Sequence, residues 1–139
     1  MLTFFKILFF GSWVTITQSP IDINSKPTQI ILDKTISAIT PGAHLRVDIS
    51  SYVKASNVID QLNEAQLFMG SRCLSARLNA KDGKFYILDD LYQSVVGNKT
   101  SLVLTNLDGV PTDIEFISIV IKSCKPINST TLVWVNYRL

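Results

Sequence analysis

The sequence predicts a mainly β protein: an antiparallel β-sandwich or jelly-roll-like fold with about seven or eight strands and one short helix. Short runs of β-branched and apolar residues recur along the chain, and turn residues separate them at intervals of roughly ten to fifteen residues. The absence of repeated strand-then-helix units argues against a parallel doubly wound sheet. With 139 residues, 47% hydrophobic and 17% charged, the chain has the size of one domain with its own core.

Residues 1–19 have the layout of a secretory signal peptide. Lys6 is their only charged residue, an apolar run of about ten residues follows it, and small or polar residues close the segment. The apolar run is shorter than the roughly 20 residues that span a bilayer as a helix. The sequence therefore predicts cleavage near Ser19 and a mature domain of residues 20–139. Because Pro20 suits cleavage poorly, an uncleaved N-terminal anchor and a buried first strand or helix of a domain that is not exported stay open as alternatives.

Such a leader predicts a secreted or periplasmic protein. Its removal takes away one lysine and leaves 12 basic against 11 acidic side chains. This near-neutral balance lacks the concentrated basic character of a nucleic-acid binder. The longest apolar run of the remaining chain, residues 114–121, is interrupted by Glu115 and is typical of a buried strand. We therefore expect neither a nucleic-acid partner nor a membrane span after cleavage.

The elements of the N-terminal half follow from alternation and turn residues. Residues 28–32 and 35–40 are the first strand candidates, and Pro41-Gly42 marks the turn after them. Residues 43–50 alternate strictly between apolar and polar side chains, which predicts a strand with one solvent-exposed face. One face of that strand carries Ala43, Leu45, Val47 and Ile49, and the other carries His44, Arg46, Asp48 and Ser50.

A helical pattern interrupts the strands at residues 56–69. Apolar residues recur there at three- and four-residue steps, at Val58, Ile59, Leu62, Ala65 and Met69. This spacing predicts one amphipathic helix of about three turns, with Ile59 on its apolar side and Gln61 on its polar side. Extended backbone over residues 64–68 is the alternative.

The C-terminal half again shows the pattern of strands. Residues 72–79 and 85–88 flank Asp82-Gly83, which predicts a hairpin with a type I′ turn. Further strands are predicted over residues 101–107, 113–123 and 130–137, with turns at 97–98, 108–111 and 125–128. On the last strand, Trp134 is predicted to fill the core, because a sandwich needs large apolar side chains between its sheets.

Cys73 and Cys124, the two cysteines of the chain, are predicted to form a disulfide in an exported domain. Each lies at the end of a predicted strand, so the bridge would link two strands or two sheets. Two separate buried thiols are the alternative. Two cysteines and one histidine are too few for a Cys/His zinc cage, and the sequence predicts no metal site and no cofactor.

The sequence assigns no catalytic residue. His44 is the only histidine, and Asp48 on the same strand face lies about 13 Å away at ordinary strand rise, too far to orient the imidazole. No Gly-x-Ser-x-Gly motif is present. The adjacent carboxylates of Asp89 and Asp90 would point to opposite faces of a strand and so would not converge. An enzyme that uses carboxylates and tyrosines stays open as a minor alternative.

The row of His44, Arg46 and Asp48 is the most organised polar feature and is the predicted binding surface. Arg46 is suited to hold a carboxylate through two hydrogen bonds. Tyr137, on the face of the last strand opposite to Trp134, is predicted to add an outward aromatic ring. Asn98 and Asn128 each begin an N-x-[ST] glycosylation motif in a predicted turn.

Taken as a whole, the sequence predicts an exported, non-enzymatic binding or interaction module whose partner is a protein or a glycan. Two alternatives stay open. An inhibitor or immunity-type protein would block another exported enzyme through one tight protein contact. A surface or fibre subunit would assemble through open strand edges. The sequence does not predict the oligomeric state.

Overall fold

The computed structural model describes residues 12–17, 19–40, 42–50, 59–61, 63, 66, 74–96 and 99–136. These residues form eleven strands with antiparallel pairing and a short helix, of which residues 59–61, 63 and 66 are described, and this confirms the mainly β prediction. The strands are β1 (Ser12–Thr15), β2 (Ile21–Ile23), β3 (Thr28–Ile36), β4 (His44–Asp48), β5 (Ser75–Ala80), β6 (Phe85–Leu88), β7 (Asp90–Val96), β8 (Lys99–Thr105), β9 (Phe116–Lys122), β10 (Ile127–Thr130) and β11 (Leu132–Asn136).

The strands make two larger sheets that share one core. The five-stranded sheet has the order β1-β11-β4-β8-β7, the four-stranded sheet has the order β3-β9-β5-β6, and β10 pairs with β2. Aromatic side chains join the two sheets directly: the ring centroid of Phe116 on β9 lies 6.3 Å from that of Trp134 on β11. Within its own sheet, Phe116 also contacts Tyr86 of β6, at 5.8 Å between ring centroids. Trp134 is fully buried, as predicted. The arrangement is an antiparallel sandwich.

Strand β4 has one apolar face in the core and one polar face on the outer side of its sheet. Leu45, Val47 and the flanking Ala43 and Ile49 are fully buried in the core. Alternation then directs the polar residues of β4 to the opposite face. Because β4 lies in the middle of the five-stranded sheet, this polar row occupies the centre of the sheet's outer face.

The hairpin between β5 and β6 lies where the Asp-Gly dipeptide predicts it, but the predicted type I′ turn is wrong. Gly83 donates its N–H to the carbonyl of Ala80 (3.1 Å), and Ala80 donates to the carbonyl of Lys84 (2.8 Å), so three residues form the loop. Gly83 has a φ of 91°, whereas Asp82 is not among the described residues with positive φ. A type I turn followed by a left-handed glycine fits this geometry, whereas type I′ requires positive φ at both central residues.

Gly83→Ala is expected to lower the free energy of unfolding by about 1 kcal/mol, because alanine resists positive φ. No atom lies within 4 Å of the added Cβ, so backbone strain alone is tested. Gly42→Ala is the matched control, since its Cβ would meet Thr40 Oγ1 at an ordinary 3.9 Å and its φ is not positive. Urea unfolding of both variants checks the expectation, and equal losses would contradict it.

Several strands of the structure differ from those that apolar alternation and turn residues predict. The sequence does not predict β2 or β7, it allows β1 only through the alternative of a first strand within residues 1–19, and β10 begins within the predicted turn at 125–128. β1 and β7 form the two edges of the five-stranded sheet, and β2 and β10 pair only with each other. β1, β2 and β10 have only three or four residues each, which is too short for an alternating pattern to be recognised. The second predicted strand, over residues 35–40, ends at Ile36 as the continuation of β3.

The short helix lies within the predicted range, and Asp60 and Asn63 are exposed as predicted, but two other described side chains depart from the predicted faces. Ile59, which the spacing assigns to the apolar side, is 72% exposed, whereas Gln61 is buried. None of the helical residues that the structure describes belongs to a helix long and apolar enough to cross a membrane.

The end of the predicted leader forms β1, which pairs with β11 at the edge of the five-stranded sheet. Beyond the strand, Ile16 donates its N–H to the carbonyl of Leu132 (2.8 Å), and Leu132 donates to the Thr17 hydroxyl (3.1 Å). Trp13 and Val14 stay exposed. Cleavage near Ser19 would therefore remove an edge strand and leave β11 at the edge.

Candidate binding site

The outer face of the five-stranded sheet brings together residues from four strands around Arg46. Arg46 lies between Val133 of β11 and Val103 of β8, and Tyr92 of β7 pairs with Val103 on the far side. Two residues beyond Arg46 on β4, Asp48 pairs with Ser101 of β8, which in turn pairs with Ser94 of β7. Polar and aromatic side chains therefore extend from β4 to the β7 edge.

His44 lies at one end of this face and is only 4% exposed, although its position on the polar side of β4 predicts exposure. Its Nδ1 lies 3.1 Å from the Gly42 carbonyl, and its Nε2 lies 3.3 Å from Nε of Arg46. A carbonyl only accepts and a guanidinium only donates. The imidazole is therefore neutral, with the proton on Nδ1, and its Nε2 accepts a hydrogen bond from Arg46.

Burial lowers the pKa of His44 below its ordinary value of 6.5, and the positive charge of Arg46 lowers it further, against the opposing effect of the Gly42 hydrogen bond. Protonation at Nε2 would remove the Arg46 hydrogen bond and place two positive charges side by side. The neutral imidazole and the position of the guanidinium therefore depend on each other.

The stability of the fold is expected to fall as the pH decreases through 6.5. A lowered pKa in the folded state means that the unfolded chain binds the proton more readily. The stabilisation is therefore complete above 6.5 and is lost as the pH falls towards the folded pKa. His44→Gln should flatten this part of the pH profile, because His44 is the only histidine. Urea unfolding of both proteins between about pH 5 and pH 7.5 tests this, and identical profiles would contradict it.

Arg46 is held from three sides. Its Nη1 donates to the Ser94 hydroxyl on β7 at 3.3 Å, and its Nε donates to His44. On the other side, its guanidinium carbon lies 4.7 Å from the centroid of the Trp13 ring on β1, within cation–π distance. The guanidinium is therefore in a fixed position at the centre of the face, half-buried between the β1 and β7 edges.

Two surface depressions meet at Arg46. The smaller one, about 220 Å³, lies towards β1 and is bordered by Trp13, Asp48, Ser94 and Val133; we call it the Trp13 depression. The larger one, about 600 Å³, lies towards β7 and is bordered by His44, Tyr92, Gln93, Asn106 and Leu107; we call it the Tyr92 depression. A ligand in either would reach the same guanidinium.

The rim of the Tyr92 depression combines apolar surface with fixed polar groups. Tyr92 is 54% exposed and Leu107 is 82% exposed. The Tyr92 hydroxyl donates to Oδ2 of Asp90 at 2.9 Å, and this hydrogen bond raises the pKa of Tyr92 above its ordinary value. Asn106 donates through Nδ2 to the Ile87 carbonyl at 2.8 Å, which holds its side chain at the rim.

The predicted row of His44, Arg46 and Asp48 thus lies on one face, but its members differ in role. Asp48 accepts the N–H of Ser50 at 2.8 Å and so holds the end of β4. Tyr137 lies outside the described residues. Neither Tyr92 nor Leu107 is among the binding residues that the sequence predicts, although the alternation of Asp90, Tyr92 and Ser94 is a signal for one more strand with a solvent-exposed face.

The predicted disulfide and the two predicted glycosylation sites stay predictions. Cys124 lies exposed in the turn after β9, and the described part of the chain contains no free cysteine, but Cys73 lies outside it. Asn128 is exposed on β10 as its motif requires, and Asn98 lies outside the described residues. Among the side chains that the structure describes, no cluster of three or more His, Cys, Asp or Glu residues is arranged to hold a metal ion.

Comparison with protein-family models, with curated proteins and with solved structures gives no match. The functional conclusion therefore depends on the geometry of the outer face alone.

Proposed function

We propose that this chain is an exported, non-enzymatic module that binds a protein partner through the outer face of its five-stranded sheet, at the Tyr92 depression. The observation that carries the proposal is the combination of an Arg46 guanidinium, held by His44 and Ser94, with exposed Tyr92 and Leu107 at the rim of the depression. Tyrosine and arginine are two of the residue types that dominate binding energy at protein interfaces.

The shape of the depression favours a macromolecular partner. Small ligands are held in concave sites that bury most of their surface. Here the aromatic and aliphatic groups at the rim are more than half exposed, which suits a protruding group of a protein surface. The guanidinium of Arg46 would meet a carboxylate or a carbonyl of that group, and Tyr92 and Leu107 would supply the apolar contact.

The state of His44 supports binding rather than catalysis. A catalytic base is accessible to the group from which it takes a proton. His44 instead is buried, and its Nε2 accepts a hydrogen bond from Arg46. Its contribution is to position the guanidinium.

The proposal is tested with the exported chain immobilised and exposed to the proteins of the compartment into which it is secreted. Tyr92→Ala is expected to weaken retention of the bound partner at least tenfold, which corresponds to about 1.4 kcal/mol of lost contact. Phe85→Ala is the matched control, because Phe85 is a 58% exposed aromatic residue on the four-stranded sheet. Equal retention by Tyr92→Ala, or retention of a glycan in place of a protein, would refute the proposed function.

A further inference from the structure

Cleavage of the leader would change one edge of the molecule. In the full chain β11 is paired on both sides, with β1 at the outer edge and β4 inside. Four residue pairs join β1 to β11, from Ser12 opposite Asn136 to Thr15 opposite Val133. Without the leader, the N–H and C=O groups of β11 that face β1 would have no strand beside them.

The sequence of β11 is unlike that of a protected edge. Natural edge strands avoid pairing with other chains through lysine, proline, bulges or a short length. β11 reads Leu-Val-Trp-Val-Asn, without a charge or a proline, and its pairing with β4 continues without a register shift. Its edge is therefore competent to accept another strand.

The surroundings of Trp13 define which side chains a strand added at the β11 edge could carry. The Trp13 ring lies over Arg46 and borders the depression that Asp48, Ser94 and Val133 line. Neighbouring positions alternate: Val14 pairs with the buried Trp134, and Ile16 packs against the core. The edge thus accepts an aromatic side chain on the outer face and β-branched apolar side chains one and three positions later, with no charge among them.

We propose that, in the exported chain, the β11 edge binds an extended segment of the protein partner, which pairs antiparallel with β11 and places an aromatic ring over Arg46. The proposal rests on the proposed function, and it names the partner's binding element. Strand addition of this kind gains affinity from main-chain hydrogen bonds and specificity from the pockets that accept alternate side chains of the added strand. Arg46 would then serve both depressions, holding the added strand on one side and the partner's surface on the other.

The test uses the chain recovered after export and a fluorescent synthetic peptide with the sequence of residues 12–17. We expect saturable binding to the exported chain. Replacing the aromatic residue of the peptide (Trp13→Ala) should weaken binding about tenfold, and Val14→Pro should abolish it, because proline removes an N–H of the ladder. Arg46→Ala in the protein should weaken binding of the unaltered peptide but not further weaken the Trp13→Ala peptide. Arg77→Ala is the control, since Arg77 makes the same type of contact over Phe85 on the other sheet.

The inference would be overturned by retention of Met1 in the exported chain, by no binding of the peptide, or by equal binding of the Val14→Pro peptide. A dimer of the exported chain that the peptide dissociates would assign the edge to a second copy and also overturn it. The failures of the two proposals are distinguishable. Loss of peptide binding with an intact effect of Tyr92→Ala removes only the strand inference. Peptide binding without an effect of Tyr92→Ala removes the proposed function at the Tyr92 depression, and with it the assignment of the added strand to that partner.

Discussion

Trp134→Ala is expected to lower the free energy of unfolding by about 3–5 kcal/mol, the range observed when large aromatic side chains are truncated in cores. Trp134 is fully buried and packs edge-on against Phe116 of the opposite sheet. Its indole Nε1 also donates to the Ser37 carbonyl at 3.0 Å. The truncation would therefore leave a cavity between the two sheets and remove one hydrogen bond. Urea unfolding monitored by far-UV circular dichroism measures the loss.

Trp134→Phe separates these two contributions. The aromatic contact with Phe116 is kept, whereas the Nε1 donor is lost, so we expect a loss of about 1–2 kcal/mol. Tyr92→Ala, an exposed aromatic truncation on the outer face, should change stability by no more than about 0.5 kcal/mol. A loss below about 1 kcal/mol for Trp134→Ala would contradict the shared core of the two sheets.

Asn136→Ala is expected to cost about 1–3 kcal/mol, because it leaves a backbone donor without its partner. Asn136 is buried, its Oδ1 accepts the N–H of Ile39 at 2.8 Å, and its Nδ2 donates to the Ser37 carbonyl at 3.0 Å. The side chain thus fastens the connection between β3 and β4 to β11. Urea unfolding measures the cost, and faster amide exchange at Ile39 would locate it.

Asn79→Ala is the matched control for Asn136→Ala. Asn79 is half-buried on β5, and its Nδ2 donates to the Ser118 hydroxyl at 2.9 Å, so no backbone group depends on it. We expect a loss below about 1 kcal/mol. Equal losses at the two asparagines, or unchanged exchange at Ile39, would refute the fastening role of Asn136.

The sequence predicts the interior of the fold better than its edges. β4 and the position of Trp134 follow from strict alternation, because a strand with one buried face repeats every two residues. β1 and β7 have only one neighbouring strand each. Fewer of their side chains are required to be apolar, so the pattern that identifies a strand is weak there.

The candidate site could be predicted only in part. Alternation placed His44, Arg46 and Asp48 on one face from the sequence alone. The position of Tyr92 beside them depends on the register of β7 against β8 and of β8 against β4. Such register is set by long-range packing, and a one-residue slip would have turned Tyr92 to the other face. The burial of His44 likewise depends on neighbouring strands.

β1 completes the five-stranded sheet and places Trp13 over Arg46. Under the proposed cleavage, the same edge would be available to a strand of the partner. An exposed, uncharged edge is an aggregation hazard, so coverage by the chain's own segment until export would protect it.

The intact mass of the chain recovered after export reports both removal of the leader and formation of the disulfide. We expect a chain that begins at Pro20 and is lighter by two hydrogens than its reduced form, because Cys73 and Cys124 are expected to be bridged. A chain that retains Met1 and carries both cysteines as thiols would show that residues 1–19 are not a cleaved leader.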